Sequence, residues 1–166
     1  MNKLRRLAAV LLALLLTGCL SFPALATEDV DMSVSGSITM SCSYEGKPVS
    51  GGNLCLYRVA DPERENGDWY FRLRSDLLDG KRLDQPDLDD PELAGRLAAE
   101  PGLGTPDATA VFNKNGLVRF ENLTPGLFLL VQTKAAGGYE KMLPVLVSLP
   151  WFDGAAESIC TISTRR

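Results

Sequence analysis

Apolar and polar residues alternate along residues 35–44: Ile38, Met40 and Cys42 share one parity, and Ser37, Thr39, Ser41 and Ser43 the other. A period of two with one polar face predicts a half-buried β-strand. Residues 45–52 follow with Gly46, Pro48, Gly51 and Gly52, the chemistry of turns. Further strands are predicted at 54–59, with Leu54 and Leu56 on one face, and at 69–73, with a polar loop over 61–68 between them. The Asn115-Gly116 pair predicts a tight turn between Val111-Phe112 and a strand at 117–120. Pro125-Gly126 opens another strand at 127–133, and 142–149 and 158–164 complete the set. Seven to eight short strands punctuated by Gly and Pro predict an all-β antiparallel sandwich.

Two stretches depart from alternation. Residues 75–104 are long and acidic, and within them 91–100 reads as a short helix. Asp90 stands at its N-cap, Pro91 at its first position, and Leu93 and Leu97 are four residues apart. The carboxylates Asp84, Asp87, Asp89, Asp90 and Glu92 lack the order of an EF-hand loop, so they read as a solvated helix start rather than a calcium site. The strand at 127–131 is apolar on both parities. A strand with one wet face should alternate, so Leu127, Leu129 and Val131 are expected to be covered, by the helix through Leu93 and Leu97 or by a partner.

The first 26 residues change the setting. A basic start (Lys3, Arg5, Arg6), an apolar run from Leu7 to Leu16 and Ala24-Leu25-Ala26 form a secretory leader, too short for a membrane span. Cleavage after Ala26 is favoured, because the A-x-A pattern is complete. The alternative is a lipobox at Leu16-Thr17-Gly18-Cys19, which would lipidate Cys19 and tether the protein to a membrane. The organisation expected is a signal peptide at 1–26, a short linker at 27–35 and one domain at 36–166, with an extracellular or cell-surface location. With the leader's three basic residues gone, 14 basic face 21 acidic residues, a net charge of about −7. That balance argues against nucleic acid or an anionic membrane as partner. The chain contains no histidine, which removes Ser-His-Asp and Cys-His chemistry and most zinc catalysis. No cofactor, metal or enzymatic activity is expected.

Gly36-Ser37-Ile38-Thr39-Met40, the 46–52 turn, Leu56-Tyr57-Arg58-Val59-Ala60, the run Phe120-Glu121-Asn122-Leu123-Thr124-Pro125-Gly126 with its following strand, and Gly138-Tyr139 occur in that order. Together they resemble the Cna-B, or prealbumin-like, domains of Gram-positive SpaA-type pilins and surface adhesins, across nearly the whole mature chain. The resemblance implies a transthyretin-like sandwich acting as a structural or adhesive surface module, with other surface or pilus proteins, or a host or cell-wall ligand, as partners. A secreted or lipid-tethered domain binding carbohydrate or protein is the alternative. Such domains often carry a Lys–Asn isopeptide bond promoted by an acid. The resemblance places those three roles here on Cys42, Cys160 and Gln132, none of which can fill them. Family members that polymerise end in a sortase signal. The sequence as it stands closes on Ser163-Thr164-Arg165-Arg166, and Leu149-Pro150-Trp151-Phe152 lacks the threonine and glycine, so sortase anchoring is not expected.

Three cysteines remain after the leader: Cys42, Cys55 and Cys160. Cys42 lies on the inward parity of the first strand, beside which the family's last strand, carrying Cys160, runs. Cys55 alternates with Leu54 and Leu56 and faces the other way. The resemblance therefore implies a Cys42–Cys160 disulfide in place of the isopeptide bond, with Cys42–Cys55, or three reduced buried thiols, as alternatives.

Overall fold

The computed structural model describes residues 32–149, together with the backbone of 157–163. The leader, Cys19 and the Ala26 cleavage site lie outside the described residues. Ten strands and two short helices follow one another. They are β1 Gly36–Tyr44, β2 Lys47–Pro48, β3 Gly51–Glu65, β4 Asp68–Leu73, β5 Arg82–Leu83, α1 Gln85–Leu88, α2 Leu93–Ala99, β6 Ala108–Phe112, β7 Leu117–Leu123, β8 Gly126–Lys134, β9 Val145–Leu149 and β10 Glu157–Ser163.

The strands form two sheets. In the first, β1 is central, with β10 on one edge and β7 then β2 along the other. In the second, β3 is central, with β8 and then β9 on one side, and β6 and β4 in succession on the other. The expected all-β sandwich with a helical insertion is the fold observed. One pairing departs from antiparallel order: β1 and β10 run parallel.

Between the sheets lies the first core. Ile38, Met40 and Cys42 of β1 meet Leu54, Leu56, Phe120, Phe128, Leu130 and Val147, all buried. The serines of β1 take the opposite parity, as the alternation requires. The second sheet also buries its other face. Tyr57, Val59, Phe71, Leu73, Leu127 and Leu129 pack under Leu77, Leu83, Leu93, Leu97 and Leu103 from the 75–104 insertion. Both Leu97 and Leu129 are fully buried. The double-sided apolar pattern of β8 thus has an internal cause, the helix expected to cover it.

Several details differ from expectation. The 61–68 loop is instead the end of β3, paired to β4 through a hairpin whose turn residues, Asn66 and Gly67, have φ of 53° and 97°. Left-handed angles at two successive positions are what a two-residue hairpin on twisted strands needs. Helix α2 starts at Leu93, because the side chain of Asp90 accepts the Glu92 N–H (2.9 Å) ahead of it. A further turn of helix, α1, was not expected. Its first turn is held by Asp87, whose carboxylate accepts the Asp84 N–H at 3.1 Å.

The insertion is fastened at its neck by Arg74. Its guanidinium pairs with Asp76 and donates to the carbonyls of Arg58, Gly102 and Leu103 at 3.0–3.2 Å, joining the strand that enters the insertion to the segment that leaves it. Gly102 is required there, since a Cβ would stand 1.9 Å from the Asp76 carbonyl oxygen. The hydrogen bond from Arg74 holds the Asp76 carboxyl below its ordinary range. Lys81 and the backbone N–H of Asp84 do the same for Asp87; the Glu92 N–H and Arg96 do so for Asp90.

Two expectations follow. Leu97→Ala costs about 2–5 kcal/mol in urea unfolding, and Leu129→Asp leaves no folded domain, because each vacates or charges a fully buried site under the helix. An unchanged urea midpoint for both would show the helix to be a dispensable cover. The second expectation concerns acid. Carboxyls lowered in the folded state contribute stability that is complete above the ordinary carboxylate range and is lost as pH falls through their lowered values. Tm therefore drops below about pH 4, and the drop is shallower in Arg74→Met, as read by calorimetry across a pH series.

Candidate functional site

The sequence singles out Gln132 on β8, Cys160 on β10 and, first, Cys42 near the end of β1. There one edge of β1 is held by two neighbours. The Cys42 N–H donates to the Gly116 carbonyl at 2.8 Å and the Cys42 carbonyl accepts the Val49 N–H at 2.9 Å. Gly116 (φ 69°) passes so close that a Cβ on it would lie 2.3 Å from the Cys42 oxygen. The turn before it is built on Asn113, whose side-chain oxygen accepts the N–H groups of Asn115 and Leu117 at 2.8 and 3.1 Å. The Cys42 side chain is buried in the first core.

Gln132 is also buried, on β8, and it has a structural task. Its Oε1 accepts the Met142 N–H at 2.8 Å, tying the end of β8 to the segment before β9. Gly52 makes room for it: with φ of 79°, a Cβ there would meet Gln132 Nε2 at 2.8 Å and the Lys134 oxygen at 2.9 Å. This bond explains why the strand expected from 142 begins only at Val145. The Met142 N–H is spent on a side chain, and Pro144 has no N–H to offer a ladder.

Cys160 lies on β10, beside β1, as the resemblance implies. Its side chain lies outside the described residues. The backbone register sets Cys160 against Met40 and Cys42 against Ile162. The two cysteines therefore occupy diagonal positions on one face, two residues out of step. With strands about 4.8 Å apart and a rise of about 3.3 Å per residue, their Cα atoms stand roughly 8 Å apart, beyond the usual disulfide span. A sulfur–sulfur bond therefore needs β10 in a register shifted by two residues. Cys55 faces the second core, with its Sγ 3.5 Å from Thr109 Oγ1 and 3.7 Å from Thr133 Oγ1. A Cys42–Cys55 bond is therefore excluded, since the two sit in different cores on opposite sides of the second sheet.

A second constellation was not anticipated, although both of its halves belong to the motifs that carry the family resemblance. Arg58, from Leu56-Tyr57-Arg58-Val59-Ala60, reaches across to Asn122-Leu123-Thr124-Pro125-Gly126. It donates to Thr124 Oγ1 (2.5 Å), the Thr124 carbonyl (3.2 Å) and the Pro125 carbonyl (2.6 Å), and pairs with Asp61 at 2.7 Å. Its guanidinium also sits 5.8 Å from the centre of the Phe128 ring. Asp107 accepts the Arg58 N–H at 2.6 Å, which fixes the backbone below the clamp. Gly126 leaves the arginine its place: a Cβ there would stand 3.0 Å from the Arg58 Cζ and 3.2 Å from the Ala60 oxygen, so the guanidinium would have to shift by a few tenths of an ångström. The turn is held open for the arginine, and the arginine satisfies carbonyls the turn cannot pair for itself.

In these arrangements the hydrogen-bonded side chains hold strands and turns together. Each polar group is engaged in holding strands, and no nucleophile stands beside a base in them. Among the described residues no cluster of three or more His, Cys, Asp or Glu is placed to hold a metal, and no helix is long and apolar enough to cross a membrane. Removing the clamp measures its weight. Arg58→Met lowers stability by about 1.5–3 kcal/mol, and Gln132→Leu by about 1–3 kcal/mol, since the latter leaves the Met142 N–H buried and unpaired. Urea unfolding checks both.

No family model matches the chain, and no curated protein sequence does. Solved structures match in fold. The full-length major pilin SpaD from Corynebacterium diphtheriae aligns with a TM-score of 0.54 at 21% identity, over 81% of this chain and 31% of SpaD. The minor pilin GBS52 of Streptococcus agalactiae (17% identity, TM-score 0.43) and the group B streptococcus pilus 2b backbone protein (16%, 0.43) align over 78% and 77% of this chain and 43% and 40% of their own. The chain thus spans about a third to under half of the length of these pilins, and the likeness to SpaD is one of fold.

Proposed function

We propose that the chain is an exported, non-enzymatic structural module of the cell surface, acting beside or within a pilus. The observation that carries this reading is the fold shared with the SpaD major pilin over 81% of the chain. The leader pattern at 1–26 supports export, and the absence of histidine supports a role without acid–base catalysis. In a load-bearing module the terminal strands must resist separation. Amide crosslinking is closed at these positions, because Cys42 offers no amine, Gln132 no promoting acid and Cys160 no carboxamide. What ties β1 to its neighbours instead is the backbone ladder to β7 and β10. We further propose a Cys42–Cys160 disulfide, formed on a two-residue slide of β10 in an oxidising compartment.

Fractionation of the producing cells tests the role: the chain is expected in the cell-surface fraction, co-purifying with other surface or pilus proteins. Recovery only as a lone soluble chain in the medium would overturn it. Intact mass of the exported product gives the maturation. The expected value is the chain from Thr27 onward, with no loss of ammonia, whereas a diacylglycerol adduct on Cys19 would establish the lipid anchor. Non-reducing peptide mapping decides the bond. A linked Cys42–Cys160 peptide pair supports it; alkylation of both thiols without reduction removes it and leaves the β1–β10 ladder noncovalent.

A further inference from the structure

Three dipeptides among the described residues place glycine after an asparagine or an aspartate: Asn66-Gly67, Asp79-Gly80 and Asn115-Gly116. Such a pair can cyclise without an enzyme. The glycine nitrogen attacks the side-chain Cγ of the residue before it. The N–Cγ bond forms, the nitrogen gives its proton to solvent, and the asparagine amide leaves as ammonia. Water then opens the cyclic imide at one of its two carbonyls. Opening at Cγ leaves aspartate on the ordinary backbone; opening at the main-chain carbonyl leaves isoaspartate, with the backbone routed through Cβ. Glycine favours the attack because no Cβ shields its nitrogen. Aspartate is the poorer substrate, since its ionised carboxylate resists a nucleophile.

The reaction needs a nitrogen that is not already donating and a turn that can rotate. In two of the three pairs the fold withholds the nitrogen. Gly116 is buried, its N–H donates to the Asn113 carbonyl at 2.8 Å, and a Cβ on it would stand 2.3 Å from the Cys42 oxygen. Asn115 is held as well, its N–H donating to Asn113 Oδ1 at 2.8 Å. The Gly80 N–H donates to the Leu77 carbonyl at 2.9 Å. Gly67 is different. It is exposed, and nothing lies within 4 Å of where its Cβ would stand. Among the described residues neither its N–H nor the Asn66 side chain has a hydrogen-bond partner. What fastens Gly67 is its carbonyl, which accepts the Arg64 Nε–H at 3.1 Å and leaves the nitrogen unengaged.

The two asparagine turns also differ in what must open. Glu65, Asn66, Gly67 and Asp68 are all exposed, so rotating Asn66 out of its left-handed conformation (φ 53°) disturbs neither core. The turn at Asn115 opens only with the sandwich, because the Gly116 carbonyl accepts the Cys42 N–H at 2.8 Å and ties it to β1.

We propose that Asn66 is a site of uncatalysed deamidation through a cyclic imide with Gly67, whereas Asn115 keeps its amide in the folded chain. Isoaspartate lengthens the backbone of a two-residue turn that depends on left-handed angles. Either product sets a new carboxylate between Glu65 and Asp68, like charges at close range. The tip of the hairpin therefore loosens, and the two cores, which it does not enter, stay closed. The proposal goes beyond the structural role and does not depend on it. It needs only water and time, and the freshly exported chain still carries the amide.

The test is incubation of the mature chain in mildly alkaline heavy-oxygen water, native and in guanidinium chloride, followed by peptide mapping that resolves isoaspartate from aspartate. In the native chain the Asn66 peptide should take up heavy oxygen and split into both products, while the Asn115 peptide keeps its amide. In guanidinium chloride both asparagines should convert at similar rates. The converted native chain should exchange faster at the Glu65 and Asp68 amides with its Tm held. Asn66→Gln, whose longer side chain closes a ring far more slowly, should lose the conversion and keep the fold. Conversion of Asn115 in the native chain as fast as that of Asn66 would overturn the proposal. So would an Asn66 amide that survives in the native chain while the denatured chain converts, or aspartate formed without isoaspartate, the mark of direct hydrolysis.

Discussion

The middle of β3 and the first half of β8 are packed on both faces, and the rest of the structure depends on that constraint. Leu54, Leu56, Phe128 and Leu130 point into the space between the sheets, while Tyr57, Val59, Leu127 and Leu129 point the other way. Burying an aliphatic side chain is worth about 1.5–3 kcal/mol relative to leaving it in water. A second sheet with one face exposed would forfeit that gain several times over and present an apolar patch. The insertion between β4 and β6 is therefore part of the core and not an ornament on a sandwich. Arg74 at its neck matters for the same reason: it anchors the cover where the chain enters and leaves.

The polar hardware follows one rule. Where the chain turns sharply, a side chain takes over the backbone groups that no ladder can reach. Arg58 does so for the Thr124-Pro125 carbonyls, Gln132 for the Met142 N–H and Asn113 for the turn before Gly116. Each has a glycine near it: a Cβ would collide with its neighbours at Gly52 and Gly116 and would crowd the arginine at Gly126. The surface ladder on β3, β4 and β5 is different in kind. Glu63, hydrogen-bonded to Tyr70 (2.5 Å) and Arg72 (2.8 Å), has its carboxyl lowered first by the tyrosine and then by the arginine, yet the Glu63–Arg72 ion pair is exposed to water and adds little to stability.

Much of this was legible in the sequence, for physical reasons that can be named. The β1 alternation is clean because one face is packed and the other polar. The double-sided apolarity of β8 foretold a cover, and Leu93 and Leu97 identified it. The end of β3 was not legible, because Asp61, Glu63, Arg64 and Glu65 extend beyond the sandwich and bury little; Asn66-Gly67 was the signal that could have found the hairpin. The direction of β10 leaves no mark in a pattern of alternation, which is the same for parallel and antiparallel neighbours. Arg58 was quoted only as part of a motif, since nothing local says that an arginine will cap a turn more than sixty residues away.

If the insertion is a true half of the second core, it must open together with the sheet it covers. Native-state hydrogen exchange measures this directly, because each amide reports the free energy of the opening that exposes it. The prediction is that the protected amides of α2, Leu93–Ala99, and those of Leu129 and Leu130 on β8 share one opening free energy, equal to that of global unfolding. Exchange of α2 through a local opening several kcal/mol cheaper, with β8 still protected at the global value, would contradict the account.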